Sequence, residues 1–328
     1  MHLIEITKRF ASKEACGEYL AALRWKNGIV CAKCGVEGNE HFRHFKTAET
    51  KRQRFSKKEG KKVWVRVPSR SLYECKGCGY QFSATVGTLF HDSHLDLLKW
   101  FQAVALILDA KKGISALQVC RHLNIPETNY KAVWYLCHRI REAMQEAGLL
   151  SGDVEADETY VGGKVPRKGD RHKPRREKDV VLGMVERKGR LRMVPVPDAK
   201  AAILQPVLEK NISEQVGTIY TDEHPIYIYA LNRAFPGKHK TISHRYTYGI
   251  GSTHTNTIEN AFSLFKRGLM GSFHHISTKH LRRYCDEFSF RFNRRHAAEG
   301  AFEETMRGLL NGKPLPYKAL TASGTAAS

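Results

Sequence analysis

Asp157, Asp222 and Glu259 are the residues on which chemistry would rest. Asp157 lies in an alternating run, Asp153-Val-Glu-Ala-Asp157-Glu-Thr-Tyr-Val161, followed by Gly162-Gly163. Alternation places Asp153, Glu155 and Asp157 on one face of a strand, with Asp157 nearest the turn. Asp222 closes a second strand-like run, Thr218-Ile-Tyr-Thr-Asp222, ahead of Glu223-His-Pro225. Glu259 lies in the stretch 253–268, which splits into two faces when read as a helix. Ile258, Ala261, Phe262, Phe265 and Leu269 form an apolar stripe, with Asn256, Glu259, Ser263 and Lys266 opposite. A surface amphipathic helix would show the same two faces. Three carboxylates are hard oxygen ligands and suit Mg²⁺ or Mn²⁺. Two such ions can activate an attacking oxygen and stabilise a leaving one in phosphodiester cleavage. Lys266, two turns beyond Glu259, and its neighbour Arg267 then suit a phosphate backbone.

A second set of ligands stands near the start. Cys31-Ala-Lys-Cys34-Gly and Cys75-Lys-Gly-Cys78-Gly each form a knuckle aiming two thiolates at one ion, and Gly35 and Gly79 permit the turns. Together they predict one structural Zn²⁺ held by four sulfurs with no open position. Cys16, Cys120, Cys137 and Cys285 lie in apolar helical settings and read as core thiols. The spacing between the knuckles is longer than usual for this pattern. The insert holds eleven Lys/Arg in residues 41–70 against Glu49 and Glu59, with Phe42, Phe45, Phe55 and Trp64 among them. Val63, Val65 and Val67 alternate as a strand does. The expectation is a zinc ribbon with an elongated basic hairpin whose Lys57 and Lys58 meet DNA; a solvated charge run is the alternative.

The formal net charge of +21 predicts a polyanionic partner, and double-stranded DNA is the leading candidate. Apolar content of 41% with 27% charged residues excludes a disordered chain. No apolar run spans a membrane, and the N-terminal stretch, read as one amphipathic helix, lacks a signal peptide's core. The expected location is the cytoplasm, at the nucleoid of a bacterium.

The elements that must position these residues fall into four segments. Residues 1–90 carry the N-terminal helix and zinc ribbon. Residues 91–150 read as wholly helical. Leu95 to Leu108 make one apolar helix, Ser115 caps a short helix Ala116–Leu123, and a longer one runs from about Glu127 to Ala147. Short helix, turn and longer helix with Lys131, His138, Arg139 and Arg141 suit a helix-turn-helix, though any helical bundle can look alike. Asn129, Tyr130 and Lys131 are the base-reaching candidates there. Residues 151–300 switch to strands: 154–161, a basic loop 164–178 with Lys164, Arg175 and Arg176 as DNA candidates, 180–186 and 191–196. A helix 200–211, a strand 218–221 and further helices follow. That order is the one of a ribonuclease-H-like sheet, so the fold class is multidomain α+β. Residues 301–328 read as a C-terminal tail, its last part a run of small residues.

The blocks Asp157-Glu-Thr-Tyr-Val-Gly-Gly-Lys164, Tyr220-Thr-Asp-Glu223 and His254 to Gly268 resemble the three catalytic blocks of bacterial insertion-sequence transposases of the zinc-ribbon, ISXO2-like branch. The resemblance covers nearly the whole chain, including the paired Cys-x-x-Cys-Gly units and Phe82-Ser-Ala-Thr-Val-Gly-Thr-Leu-Phe90. It implies an Asp-Asp-Glu (DDE) triad of Asp157, Asp222 and Glu259, with Lys266 on transposon-end DNA. Some relatives place an asparagine third, which makes Asn256 the alternative to Glu259. It also implies binding of terminal inverted repeats, metal-dependent cleavage and strand transfer, by a homodimer or larger assembly. In the closing helix, Leu281, Tyr284, Phe288 and Phe292 are expected on the sheet, with Arg282, Arg283, Arg291 and Arg294 outside. A DNA-binding regulator with an idle site, or a plain nuclease, are the alternatives.

Overall fold

The computed structural model describes residues 3–56, 59–67, 69–162, 178–242, 255–296 and 300–322. The chain opens with two helices, α1 (Leu3–Arg9) and α2 (Lys13–Arg24), where one was expected. Ser12 makes the break: its backbone is extended and its hydroxyl accepts from Ala15 N–H at 3.1 Å, capping α2. Next come β1 (Phe42–Lys46), β2 (Thr50–Ser56), β3 (Lys61–Val67), β4 (Ser71–Cys75) and β5 (Gln81–Phe82). β1, β4 and β5 form a three-stranded sheet, and β2 and β3 pair as a ribbon. Phe42 faces Cys75, Lys46 faces Ser71, Thr50 faces Val67 and Ser56 faces Lys61, so one register runs through both. The insert is therefore a long antiparallel hairpin. Its outer part carries Phe55 and Trp64, 60% and 67% exposed, among Lys and Arg side chains.

The helical segment holds α3 (Leu97–Asp109), α4 (Ala116–His122) and α5 (Tyr130–Glu142). Ser115 and Gln118 close a capping box at the start of α4. A turn of 3-10 helix, Glu127–Asn129, leads into α5. α5 stops at Glu142, short of the expected Ala147, because Ala143 and Met144 tighten into a turn bonded to Ile140 and Arg141.

The second half builds a sheet from β6 (Val154–Val161), β7 (Asp179–Glu186) and β8 (Leu191–Val196), then α6 (Ala201–Asn211), β9 (Ile219–Asp222), α7 (Pro225–Ala234) and β10 (His239–Ile242). Helices α8 (Asn256–Gly268) and α9 (Thr278–Asn293) follow, joined through a π-helical turn at Leu269–Phe273. Strand order is β10-β9-β6-β7-β8; β6, β7 and β8 are antiparallel, whereas β9 runs parallel to β6 and β10 parallel to β9. Strand β10 was not foreseen: His239-Lys-Thr-Ile is short and polar, and pairs only at an edge. One face packs Val154, Ala156, Leu182 and Met184 against Leu204, Leu208, Tyr227 and Leu231 of α6 and α7. The other packs Val181, Val185 and Met193 against Ile258, Phe262 and Phe265 of α8 and Leu281 and Phe288 of α9. Each of these large α8 side chains contributes about 1.5–3 kcal/mol by leaving water.

The C-terminal segment is not a tail. α10 (Ala301–Asn311) and α11 (Tyr317–Thr321) follow α9. Phe302, Met306 and Leu309 join Ile6, Phe10, Leu20, Trp100, Phe101, Val104, Leu136 and Ile140 in a single core. Both chain ends thus complete the helical domain, and the expected boundaries near 90 and 300 cut through it. α9 is covered on both sides. Arg141 of α5 and Glu287 of α9 pair at 2.6 Å with 2% and 1% exposure, and Arg291 meets Glu287 at 3.0 Å. Arg283 pairs with Glu142 at 2.5 Å, and Arg294 with Glu146 and Glu304. Arg283, Arg291 and Arg294 therefore do not lie outside, whereas Arg282 is exposed as expected, and Tyr284 packs its ring under Arg141, at 4.1 Å, rather than in the sheet's core. His138, Arg139 and Arg141, expected on a DNA face, are 0%, 4% and 2% exposed. Among the described residues no helix is long and apolar enough to cross a membrane.

Candidate functional site

Parallel pairing sets the first two carboxylates. Val154 lies opposite Ile219 and Glu155 opposite Tyr220. The pairing ends there; Asp157 stands two residues further along β6, and Asp222 two residues further along β9, at its end. Asp222 ends β9, and its Oδ1 accepts from His224 N–H at 3.1 Å, turning the chain into α7. The third carboxylate comes from the first turn of α8, where Thr255 Oγ1 donates to Glu259 Oε1 at 3.0 Å. Burial pushes the Asp157 carboxyl up to about 7, with the charges of Glu158 and Asp222 adding to it and Glu259 contributing as well; the Glu158 N–H, donating at 2.8 Å, opposes the rise. Asp157, Asp222 and Glu259 do not draw together within 4.8 Å, a convergence that only the cysteine group shows among the described residues. Asn256 is exposed at the start of α8, one turn before the exposed Glu259.

The other two acids of the alternating run do different things. Asp153 Oδ1 accepts from Thr218 N–H at 3.1 Å and ties the strand before β9. Glu155 is fully buried and accepts from Thr257 and Ile258 N–H at 2.9 and 3.1 Å. Glu158 points to the opposite face, where Tyr227 Oη donates to it at 2.5 Å. Gly183 lies opposite Asp157 in β7. A Cβ there would stand 2.6 Å from both Ile258 Cδ1 and Phe262 Cζ, so glycine lets α8 reach the sheet beside Asp157. Neither Glu155 nor Gly183 was singled out from sequence for this. Alternation alone cannot separate a buried acid from a ligand, and a glycine within a strand signals close approach without naming the partner.

At the N-terminal end, Cys31, Cys34, Cys75 and Cys78 bring their sulfurs within 4.8 Å of one another. Cys31 Sγ lies 3.7 Å from Cys78 Sγ, and Cys34 Sγ 3.6 Å from Cys75 Sγ. Lys33 and Cys34 N–H groups point at Cys31 Sγ at 3.4 and 3.5 Å. Gly35 and Gly79, at φ +75° and +69°, turn each knuckle back so that their N–H groups reach the Cys31 and Cys75 carbonyls. Four sulfurs at this separation fit a closed, structural zinc. The other four cysteines are buried.

The DNA-contact candidates fall into two groups. Lys266 and Arg267 are exposed on α8, with Arg267 Nη2 donating to Ser263 Oγ at 2.9 Å, and Asn129 and Lys131 are exposed at the start of α5. Lys57, Lys58, Lys164, Arg175 and Arg176 lie outside the described residues.

Comparison with known proteins agrees with both ends of the chain. Residues 149–293 match the family model of the ISXO2-like transposase domain, and residues 11–81 that of the transposase zinc-ribbon domain. The chain is also similar to an uncharacterized protein in transposable element ISH50 of Halobacterium salinarum. The two are 25% identical over 279 residues, which cover 80% of this chain and 85% of that protein.

Proposed function

Because the chain belongs to the ISXO2-like transposases that carry a zinc ribbon, we propose that it binds the terminal inverted repeats of an insertion sequence and catalyses metal-dependent strand cleavage and strand transfer. What supports this is that Asp157 and Asp222 each stand two residues beyond the paired Glu155 and Tyr220 of neighbouring strands, with Glu259 in the first turn of the helix whose Ile258 and Phe262 pack against β7. The mixed sheet with helices on both faces is read as ribonuclease-H-like. Asp157, Asp222 and Glu259 would hold two Mg²⁺ or Mn²⁺ ions, and the crowding of negative charge at Asp157 is what such cations relieve. When bound, the ions would polarise the scissile phosphate and ease deprotonation of the attacking oxygen. The chain's residues do the rest. Glu259 is preferred to Asn256, since a carboxylate binds a divalent cation more strongly than an amide. Lys266 and Arg267 hold the backbone further along the same helix. Cleavage by water and joining by a freed 3′-hydroxyl are both in-line displacements at phosphorus, so one site serves both.

End recognition falls to the front of the molecule. The basic hairpin with exposed Phe55 and Trp64, and Lys57 and Lys58 between its strands in sequence, suits phosphate and sugar contact. Asn129 and Lys131 at the start of α5 suit base edges, and Lys164, Arg175 and Arg176, in the basic stretch that follows β6 in sequence, suit phosphates. Two ends must be held together, which calls for a homodimer or larger assembly on DNA, in the cytoplasm at the nucleoid.

The test combines purified full-length protein, Mg²⁺, a target plasmid and a duplex carrying the sequences that bound the coding region. Joined products that vanish in Asp222→Ala are expected. Tight binding without metal-dependent cleavage would instead favour a regulator, and cleavage without joining a plain nuclease.

A further inference from the structure

Glu155 lies two residues before Asp157 in β6 and has no exposed surface. Its carboxylate accepts from Thr257 N–H at 2.9 Å, Ile258 N–H at 3.1 Å, Thr257 Oγ1 at 3.0 Å and Arg187 Nε at 3.3 Å. The N–H groups of a helix's first turn have no acceptor within the helix. In α8 the N-cap residue, Thr255, makes no side-chain cap bond, and its hydroxyl donates to Glu259 instead. The acceptor for that turn comes from the sheet. Negative charge at a helix N-terminus is also favoured by the helix dipole.

The same cluster reaches the third element of the site. Arg187 stacks over the Tyr220 ring at 3.7 Å. Tyr220 is the cross-strand partner of Glu155 and stands two residues before Asp222. One buried carboxylate and its partners thus touch β6, β9 and α8, which carry Asp157, Asp222 and Glu259. α8 cannot withdraw without leaving a buried charge short of its donors, a strongly unfavourable state. We infer that Glu155 is the positioning residue of this site: it fixes the start of α8 on the sheet and thereby sets Glu259 against the two aspartates. Both of its oxygens already face N–H or hydroxyl donors, so its place is beside the ligand set. The inference rests on the reading of Asp157, Asp222 and Glu259 as a metal site.

The experiment uses full-length protein and two readouts other than activity. Mn²⁺ affinity is followed by loss of the free-ion electron paramagnetic resonance signal, and backbone protection by amide hydrogen exchange over residues 255–260. Glu155→Gln should weaken Mn²⁺ binding roughly 10–100-fold, as loss of an outer partner of metal ligands does, and speed exchange at Thr257 and Ile258. Thr257→Val should weaken binding to a smaller extent and Thr257→Ser, which keeps the hydroxyl, should restore it. Should Glu155→Gln fail to fold, the Thr257 pair decides alone. Parent-like Mn²⁺ affinity in Glu155→Gln and Thr257→Val, with Asp222→Ala losing it, overturns the positioning role only. Mn²⁺ binding in the parent that Asp222→Ala leaves unchanged overturns the metal-site reading and this inference with it.

Discussion

At Gly183 the missing side chain is what allows α8 to reach the sheet. Ile258 and Phe262 fill the space a Cβ would take, and their helix carries Glu259. Gly183→Val should therefore lift α8 from the sheet, costing about 1–3 kcal/mol of stability from overpacking and lowering DNA cleavage further than the stability loss explains. Gly308→Ala is the comparison, because its Cβ would meet the Ala143 carbonyl at 2.3 Å within the helical core. Urea denaturation and cleavage rates measured on both variants check this. Equal loss of cleavage per unit of lost stability in the two would show that Gly183 has no particular bearing on the site. At this scale the residue types that could do chemistry were readable from the chain, but their setting differs from the expectation: Asp222 ends β9, whereas Asp157 lies in the middle of β6. The work of their neighbours was not readable. Asp153, Glu155 and Asp157 share a strand face, yet one accepts from the residue before β9, one accepts from a helix start and one is a buried carboxyl pushed up by that burial.

At the scale of elements, the junction of α5 and α9 gives a prediction about pH. His138 is fully buried against Trp134, His280 and Tyr284, and neither ring nitrogen has a hydrogen-bond partner. Burial first, then the charges of Arg141, His280 and Arg283, hold its pKa far below the usual 6.5. Burial likewise lowers His280 to about 4, with Arg283, Lys279 and Arg141 adding to it. A histidine depressed in the folded state refuses a proton that the unfolded chain accepts. The stability it allows is therefore whole above pH 6.5 and declines as pH falls below it, by about 1.4 kcal/mol per pH unit per proton. Asp286, raised to about 6 mainly by burial, acts in the opposite sense, so the variant must be compared with its parent. His138→Phe should lose about 2 kcal/mol less than the parent between pH 6.5 and 5, read from urea unfolding at the two pH values; an unchanged difference would contradict it. The basic residues of α5 also mark a limit of sequence reading. Helix and period were legible, but which cations face a second domain rather than solvent depends on α9, more than a hundred residues away. Strands β6 to β9 came out within a residue or two because short apolar or alternating runs bounded by turn residues mark them, whereas β10 carries no such pattern.

At the scale of the whole molecule, the chain ends fold back on each other. α1, α2 and α10 share the core of α3 and α5, so the helical domain closes only when the last part of the chain is in place. Sequence order hid this, because each terminal helix looks like a minor appendage when its partners are out of view. The zinc knuckles were legible for the opposite reason, since two identical local units converge whatever the length of the insert between them. In a chain of net charge +21, the basic hairpin, the start of α5 and the far end of α8 carry exposed cations, while Asp157, Asp222 and Glu259 come from β6, β9 and α8.

The central proposal is that Asp157, Asp222 and Glu259, from β6, β9 and α8, act as one site. A crystal grown with Mn²⁺ and examined by anomalous scattering tests it most directly. Signal is expected within about 2.0–2.3 Å of carboxylate oxygens of Asp157, Asp222 and Glu259, with Glu155 still bonded to the Thr257 and Ile258 N–H groups. Mn²⁺ held without Asp222, or with Asn256 in place of Glu259, would contradict it.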